Sequence, residues 1–324
     1  MRFAPRRRFT DDADKLNVDN QTILEDLGHQ RNREDRLLAL SLALNGVVLG
    51  SILLLFSLGL TLIYGVGRIV NFAHGALFSV GALVGVWLAH SGLPFALCLV
   101  AAPILVGAFG VLLDWAVFAR IRDRPMVDSL LLTFGVALFL TGVLYEFGGR
   151  NIQILQVPSA LAGAVELAGL SLPLYRLFVS GLSIGLTICL FLFLKNSTWG
   201  LRVRAANDDP EMGACLGIDR ERLMHGVVGV SAGHAAVSGV TAAPIFTAYA
   251  TVGDKILILA FLTVILGGLG SFRGTVVAAY AVGLIIVLGE GYFGGQVALM
   301  VLFILVMAML IRWPRGFFGE GRTE

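Results

Sequence analysis

An all-α fold is what this sequence predicts: a polytopic transmembrane helical bundle of about eight to ten crossings, with broken or re-entrant segments. Three observations predict it. Of 324 residues, 57% are hydrophobic and 14% charged, and mean hydropathy is +0.84, too apolar for one soluble core. Apolar runs recur that reach or approach the ~20 residues needed to cross a bilayer. Arginines and lysines gather in the short segments between those runs, as they do around membrane spans.

Taken in order, residues 1–38 form a polar tail with Arg6, Arg7 and Arg8 at its front and no adjoining apolar core, so a cleaved secretory signal is not expected. The charge pattern predicts a solvated, partly disordered segment. A sharper alternative is an amphipathic helix lying on the membrane, for which Thr22 and Glu25 have capping-box spacing. The membrane part covers 39–318, and 319–324 is a short polar tail. Its apolar segments fall at about 39–63, 72–90, 94–118, 128–147, 173–194, 225–250, 256–270, 274–290 and 296–311. The longer semi-apolar loop from Gly148 to Leu172 is expected to lie across the outer mouth, its ends restricted by Pro158 and Pro173.

Counting alternate crossings puts three basic clusters on one side: Arg120 to Arg124, Lys195 to Arg222, and Arg312, Arg315 and Arg322. Arg68 and Arg273 join them, and Arg150, Arg176 and Lys255 face the other way. The positive-inside rule makes the richer side cytoplasmic and places the carboxyl terminus there. Nine simple crossings would put the basic amino-terminal tail outside, against the same rule, so a re-entrant or broken passage within 39–90 is expected.

The stretch Tyr64 to Gly81, YGVGRIVNFAHGALFSVG, suggests where that break lies. An apolar run halts at Gly65 and Gly67, and Arg68, Asn71, His74 and Gly75 follow before it resumes. In lipid every backbone polar group needs an internal partner, so such a break survives only beside protein or a water-lined cavity. A second break lies in Ala260 to Gly283, with Gly267, Gly268, Gly270 and Arg273. Interrupted segments in corresponding positions of two halves point to a translocation path. The GxxxG pairs Gly46/Gly50, Gly81/Gly85, Gly181/Gly185 and Gly229/Gly233 predict close helix packing.

Between spans, 199–222 reads as a docking loop. Asp209 and Pro210 start a helix, Glu211 suits its positive end, and Gly217 ends it in a left-handed turn. Arg202 and Arg204 flank it. A bare connection needs no such construction, which implies a partner.

Ionisable groups inside spans are functional suspects. Asp114 is expected to pair with the arginine cluster beside it, while Glu146 and Glu290 reach water at span ends. His74 and Asn71, three residues apart, share a helix face and are expected to bond each other or to line a solute path. His234 reads as a buried structural histidine. Cys98, Cys189 and Cys215 have neither metal nor disulfide spacing. GGLGSFRG lacks the ending of a phosphate loop, and no triad or metal cluster appears, so the chain is not expected to be an enzyme.

Leu44 to Gly85, with NG, GS, LxxYG and NFAHG in order, closely resembles the membrane permeases of branched-chain amino acid ABC importers. Gly200 to Asp219 resembles that family's ATPase-docking loop, Ala260 to Gly274 its LGGxGSxxG block, and Trp313 to Gly316 its terminal P-x-G. The resemblance implies a multi-pass subunit of a bacterial-type cytoplasmic (inner) membrane. Its implied partners are ABC ATPase subunits, a second related permease subunit, an extracytoplasmic substrate-binding protein and the lipid bilayer, with no nucleic acid. ATP and Mg would be bound by the ATPase subunits and no cofactor by this chain. The family also includes permeases for urea and short amides. An ATPase-independent secondary transporter or channel is the reading from another class, and it requires coupling charges deep in the bundle.

Overall fold

The computed structural model describes residues 7–122, 124–148, 152–167, 170–314 and 316–318. Eleven α-helices carry it: α1 Arg7–Gly67, α2 Ala73–His90, α3 Phe95–Ala116, α4 Met126–Phe147, α5 Leu174–Asn196, α6 Thr198–Asp208, α7 Pro210–Cys215, α8 Arg220–Phe246, α9 Val252–Gly267, α10 Phe272–Phe293 and α11 Gly295–Arg312. Among the described residues, eight are long and apolar enough to cross a membrane: α1 from Arg33 onward, α2, α3, α4, α5, α8, α10 and α11. The expected segment at 256–270 becomes α9, whose 16 residues reach about 24 Å, short of the ~30 Å hydrocarbon core.

Two features differ from expectation. α1 is continuous from Arg7, in place of a partly disordered tail or a helix starting at Thr22. The break expected within 39–90 falls at its end, after Gly67. The 148–172 loop folds partly as an antiparallel hairpin, β1 Ala164–Leu167 and β2 Leu170–Pro173. The carboxyl-terminal tail 319–324, Arg150, Arg315 and the side-chain pattern of residues 7–30 lie outside the described residues.

Glycine sets how closely the helices approach. Gly46 and Gly50 of α1 lie against Leu284, Gly283 and Tyr280 of α10, and Gly229 and Gly233 of α8 lie against Gly107 and Pro103 of α3. Both pairs run antiparallel, and both permit the backbone contact that substitutes for hydrophobic drive in lipid. Gly81 and Gly85 of α2 meet Ala236 and Val240 of α8 in parallel. Among the described residues, Gly181 and Gly185 of α5 have no neighbour within 4 Å of where a side chain would start, so this pair packs none of the described helices.

α1 and α8 cross antiparallel: Ser238 Oγ donates to the Ile52 carbonyl at 2.9 Å while Gly59 lies against the Ser231 carbonyl. Among the described residues, the two non-glycine residues with positive φ are Arg68 (53°) and Thr247 (64°), each the first after its helix, α1 and α8. Thr247 therefore ends its helix as Arg68 does. The expected second break, at 267–274, is a tight turn from Gly268 to Ser271 between α9 and α10, with Gly268 and Gly270 at φ 100° and 84°. No glycine lies between Thr247 and Thr251, so that junction carries no sequence signal of the Arg68 kind.

Candidate functional site

The breaks at Arg68 and Thr247 both return the chain into the bundle before the next helix begins. His74, in the first turn of α2, lies against Gly59, about 12 Å before the end of α1. Gly253, in the first turn of α9, lies against the Gly75 backbone, and its N–H donates to Ser79 Oγ at 3.0 Å. Two helices thus start side by side within the bundle and run in opposite directions from their first turns. Their N-termini bring two positive dipole ends to one depth, an arrangement suited to anionic groups of a solute.

The exposed backbone at each break is satisfied by a neighbour. On the first, Thr133 of α4 donates to the Val70 carbonyl and accepts from the Phe72 N–H, both at 3.3 Å. On the second, Ala248 and Gln153 of the outer loop exchange two backbone bonds of 2.8 Å. Neither Thr133 as a break partner nor Gln153 is marked by any sequence motif. Both are needed because lipid provides no donors or acceptors.

The expected Asn71–His74 side-chain pair does not form. His74 Nε2 bonds the Phe56 carbonyl at 3.0 Å and its Nδ1 faces Ser231 Oγ at 3.5 Å, joining α2 to α1 and α8. Asn71 is buried, and its Oδ1 has no hydrogen-bond partner. The turn of backbone between the two residues places one side chain toward α1 and leaves the other apart. His234 is buried with Nδ1 on the Val230 carbonyl of its own helix, 3.0 Å away.

At the far end of α1, Tyr64, Gly65 and Arg68 meet Gly270, Ser271 and Arg273 across a cavity of about 790 Å³. α1 and α10 are antiparallel, so the end of one lies beside the start of the other. Thr61 and Thr275 bond hydroxyl to hydroxyl at 2.7 Å just above. The cavity is completed by Lys195 of α5 and by Arg204, Asn207 and Asp208 of α6. Gly67 packs under Met224 of α8, and Gly267 under Gly274. The carboxyl-terminal segment closes the turn: Phe317 and Phe318 N–H groups donate to the Leu266 and Gly267 carbonyls, and Gly316 lies on Gly268.

The docking loop is α6 and α7. Ser197 caps α6 through the Gly200 N–H, and Asp209 Oδ1 caps α7 through the N–H groups of Glu211 and Met212 at 3.1 and 3.0 Å. Gly217, φ 78°, ends the unit, and Asp219 caps α8. α7 is six residues, shorter than the two turns expected from Pro210 to Gly217. Arg202 and Glu211 are exposed, and so are Met212 at 56% and Leu216 at 73%, one turn apart. Arg204 is different: its guanidinium donates to the Leu194 carbonyl and ties α6 to the last turn of α5. Trp199 stacks on Phe193 and rests on Gly226, extending the tie to α8.

Asp114 of α3 pairs with Arg122, as its neighbourhood predicts, and additionally with His225 Nδ1 of α8 at 2.7 Å. The side chains of Asp114 and Arg122 are 1% and 8% exposed. His225 was not separable from the docking loop by sequence, since its partner lies 111 residues away. Among the described residues no cluster of three His, Cys, Asp or Glu has the makings of a metal site.

The permease component family of branched-chain amino acid transport systems matches residues 42–311. The chain belongs to this family. The high-affinity branched-chain amino acid transport system permease protein LivH of Salmonella typhimurium is 26% identical over 293 residues, 86% of this chain and 95% of its own length. BraD of Pseudomonas aeruginosa, described in the same words, is 26% identical over 296 residues with the same coverage. A probable LivH of Methanocaldococcus jannaschii is 28% identical over 272 residues, 81% of each chain. No solved structure matches the permease. The family match begins at residue 42, within α1, and ends at residue 311, in α11.

Proposed function

We propose that this permease is one membrane subunit of an ATP-binding-cassette importer for branched-chain or related amino acids, with ATP and Mg bound by separate subunits. The observation that carries the coupling part is α7, a capped helix that presents Met212 and Leu216 to water beside Glu211. Apolar side chains held out on a polar face are anchors for a partner groove. A push on α7 reaches α5 through Arg204 and Trp199, and α8 through Trp199 and the Asp219 cap. α8 carries the movement to α3, α2 and α1, whose glycine contacts permit sliding. Alternating access then follows as a population shift between two packings.

The α6–α7 end is the cytoplasmic one in this reading, which makes the carboxyl terminus cytoplasmic and the β1–β2 hairpin extracytoplasmic, facing a substrate-binding protein. The glycine pair Gly181/Gly185, unused among the described helices, suits a second permease subunit. Asp114, neutralised by two partners at one end of the bundle, is poorly placed as the coupling charge of a secondary transporter.

Glu211→Lys and Met212→Asp test the reading. Each is expected to leave the permease inserted and folded while ATPase co-purification and ATP-driven uptake fall by an order of magnitude or more, as for anchors worth about 2 kcal/mol. Uptake of leucine at the normal rate by both variants would remove the docking role of α7. Solute-stimulated ATP hydrolysis, compared for leucine, urea and short amides, assigns the substrate.

A further inference from the structure

The cavity between the ends of α1, α5, α6 and α10 has a charge that solute passage does not require. Among the described residues Arg68, Lys195, Arg204 and Arg273 line it, against one carboxylate, Asp208. Among those residues none of these four cations forms an ion pair. A narrower arm of about 160 Å³ adjoins it, the two sharing Phe191, Phe272 and Arg273. The arm's other walls include Leu58, Ile188, Leu190 and Val276, and Ile188 is half exposed. Basic end and apolar arm together have the shape of an amphiphile.

We propose that this groove binds an anionic phospholipid, with the headgroup phosphate among Arg68, Lys195 and Arg273 and an acyl chain along the arm between α5 and α10. Charge complementarity selects the occupant. A basic pocket between transmembrane helices attracts anionic headgroups, and every nearby Lys or Arg adds to the attraction. A free amino acid brings its ammonium into the same cationic space, whereas phosphatidylglycerol brings only negative charge. Free phosphate shares the headgroup chemistry but leaves the arm unfilled. Lipid bound there bridges α5 and α6 to the end of α1 and the start of α10, so it tunes how far α6 swings. The proposal goes beyond the importer reading and does not depend on the transported solute.

Native mass spectrometry of the full-length permease, with whatever subunits accompany it, tests the site by titration with phosphatidylglycerol and phosphatidylcholine. Phosphatidylglycerol is expected to be retained preferentially. Lys195→Gln with Arg273→Gln should lower its retention roughly tenfold or more, while Arg220→Gln, on the exposed start of α8, leaves it unchanged. Ile188→Trp, which fills the arm and keeps every charge, should lower phospholipid retention too. Equal retention of the two lipids overturns the proposal, as does a double variant that binds like the wild type. Displacement of phosphatidylglycerol by inorganic phosphate or leucine at similar concentration overturns it in favour of a headless anion site. Should the double variant fail to fold, Arg68→Gln and Ile188→Trp provide the same comparison. Loss of the importer reading shows instead as absent ATPase subunits, with lipid selectivity intact.

Discussion

Ser79 of α2 accepts the backbone N–H of Gly253 at 3.0 Å, so the first turn of α9 is satisfied by a side chain of the helix that starts beside it. Ser79→Ala is expected to leave that buried N–H unpaired and cost about 1–3 kcal/mol. A lower unfolding temperature of the assembled complex and reduced uptake are the readouts. Gly253→Ala should be worse, because its Cβ would run into the Gly75 carbonyl. Normal stability in both variants would mean that the two N-termini do not meet.

Thr133→Val keeps the side-chain shape but removes the partner of Val70 and Phe72. A loss of about 1–3 kcal/mol is expected, with recovery in Thr133→Ser, whose hydroxyl reaches the same atoms. Thermal unfolding of the three proteins in detergent compares them directly.

Asp114→Asn should destabilise by about 3–5 kcal/mol, because Arg122 is then buried without its counter-charge. Arg122→Leu in the Asp114→Asn background should restore much of it. Failure of the second change to rescue would show that His225, rather than Arg122, is the partner that matters.

His74→Ala removes a ring packed between α1, α2 and α8 together with its bond to Phe56. A cost of about 2–4 kcal/mol is expected, read as a lower yield of assembled complex. The uptake rate per assembled complex should stay near normal. A normal yield with lost uptake would instead put His74 on the solute path.

The membrane class, the nine apolar segments and the Asp209 cap were legible because composition, run length and local capping chemistry are written in neighbouring residues. Arg68 was legible as a break through its glycines, whereas Thr247 hid inside an ordinary polar-apolar junction. Its left-handed backbone is displayed only by the folded chain. Asn71 and His74 illustrate the limit of helical spacing. Three residues apart predicts one face, but Asn71 precedes α2 and the rule applies only inside a helix. Apolar composition alone likewise suggested a span at α9. Its start is deep because the chain re-enters after Phe246, and nothing in its own sequence reports that.

The bonds from Thr133 to the first break also bear on how the protein is made. As the chain leaves the ribosome, α1 and α2 emerge well before α4. Until α4 enters the bilayer, the Val70 carbonyl and Phe72 N–H have lost water and not yet gained their partner. The first two helices are therefore not a finished insertion unit. The insertion machinery must shelter them, or let them sit shallow, until residue 133 arrives.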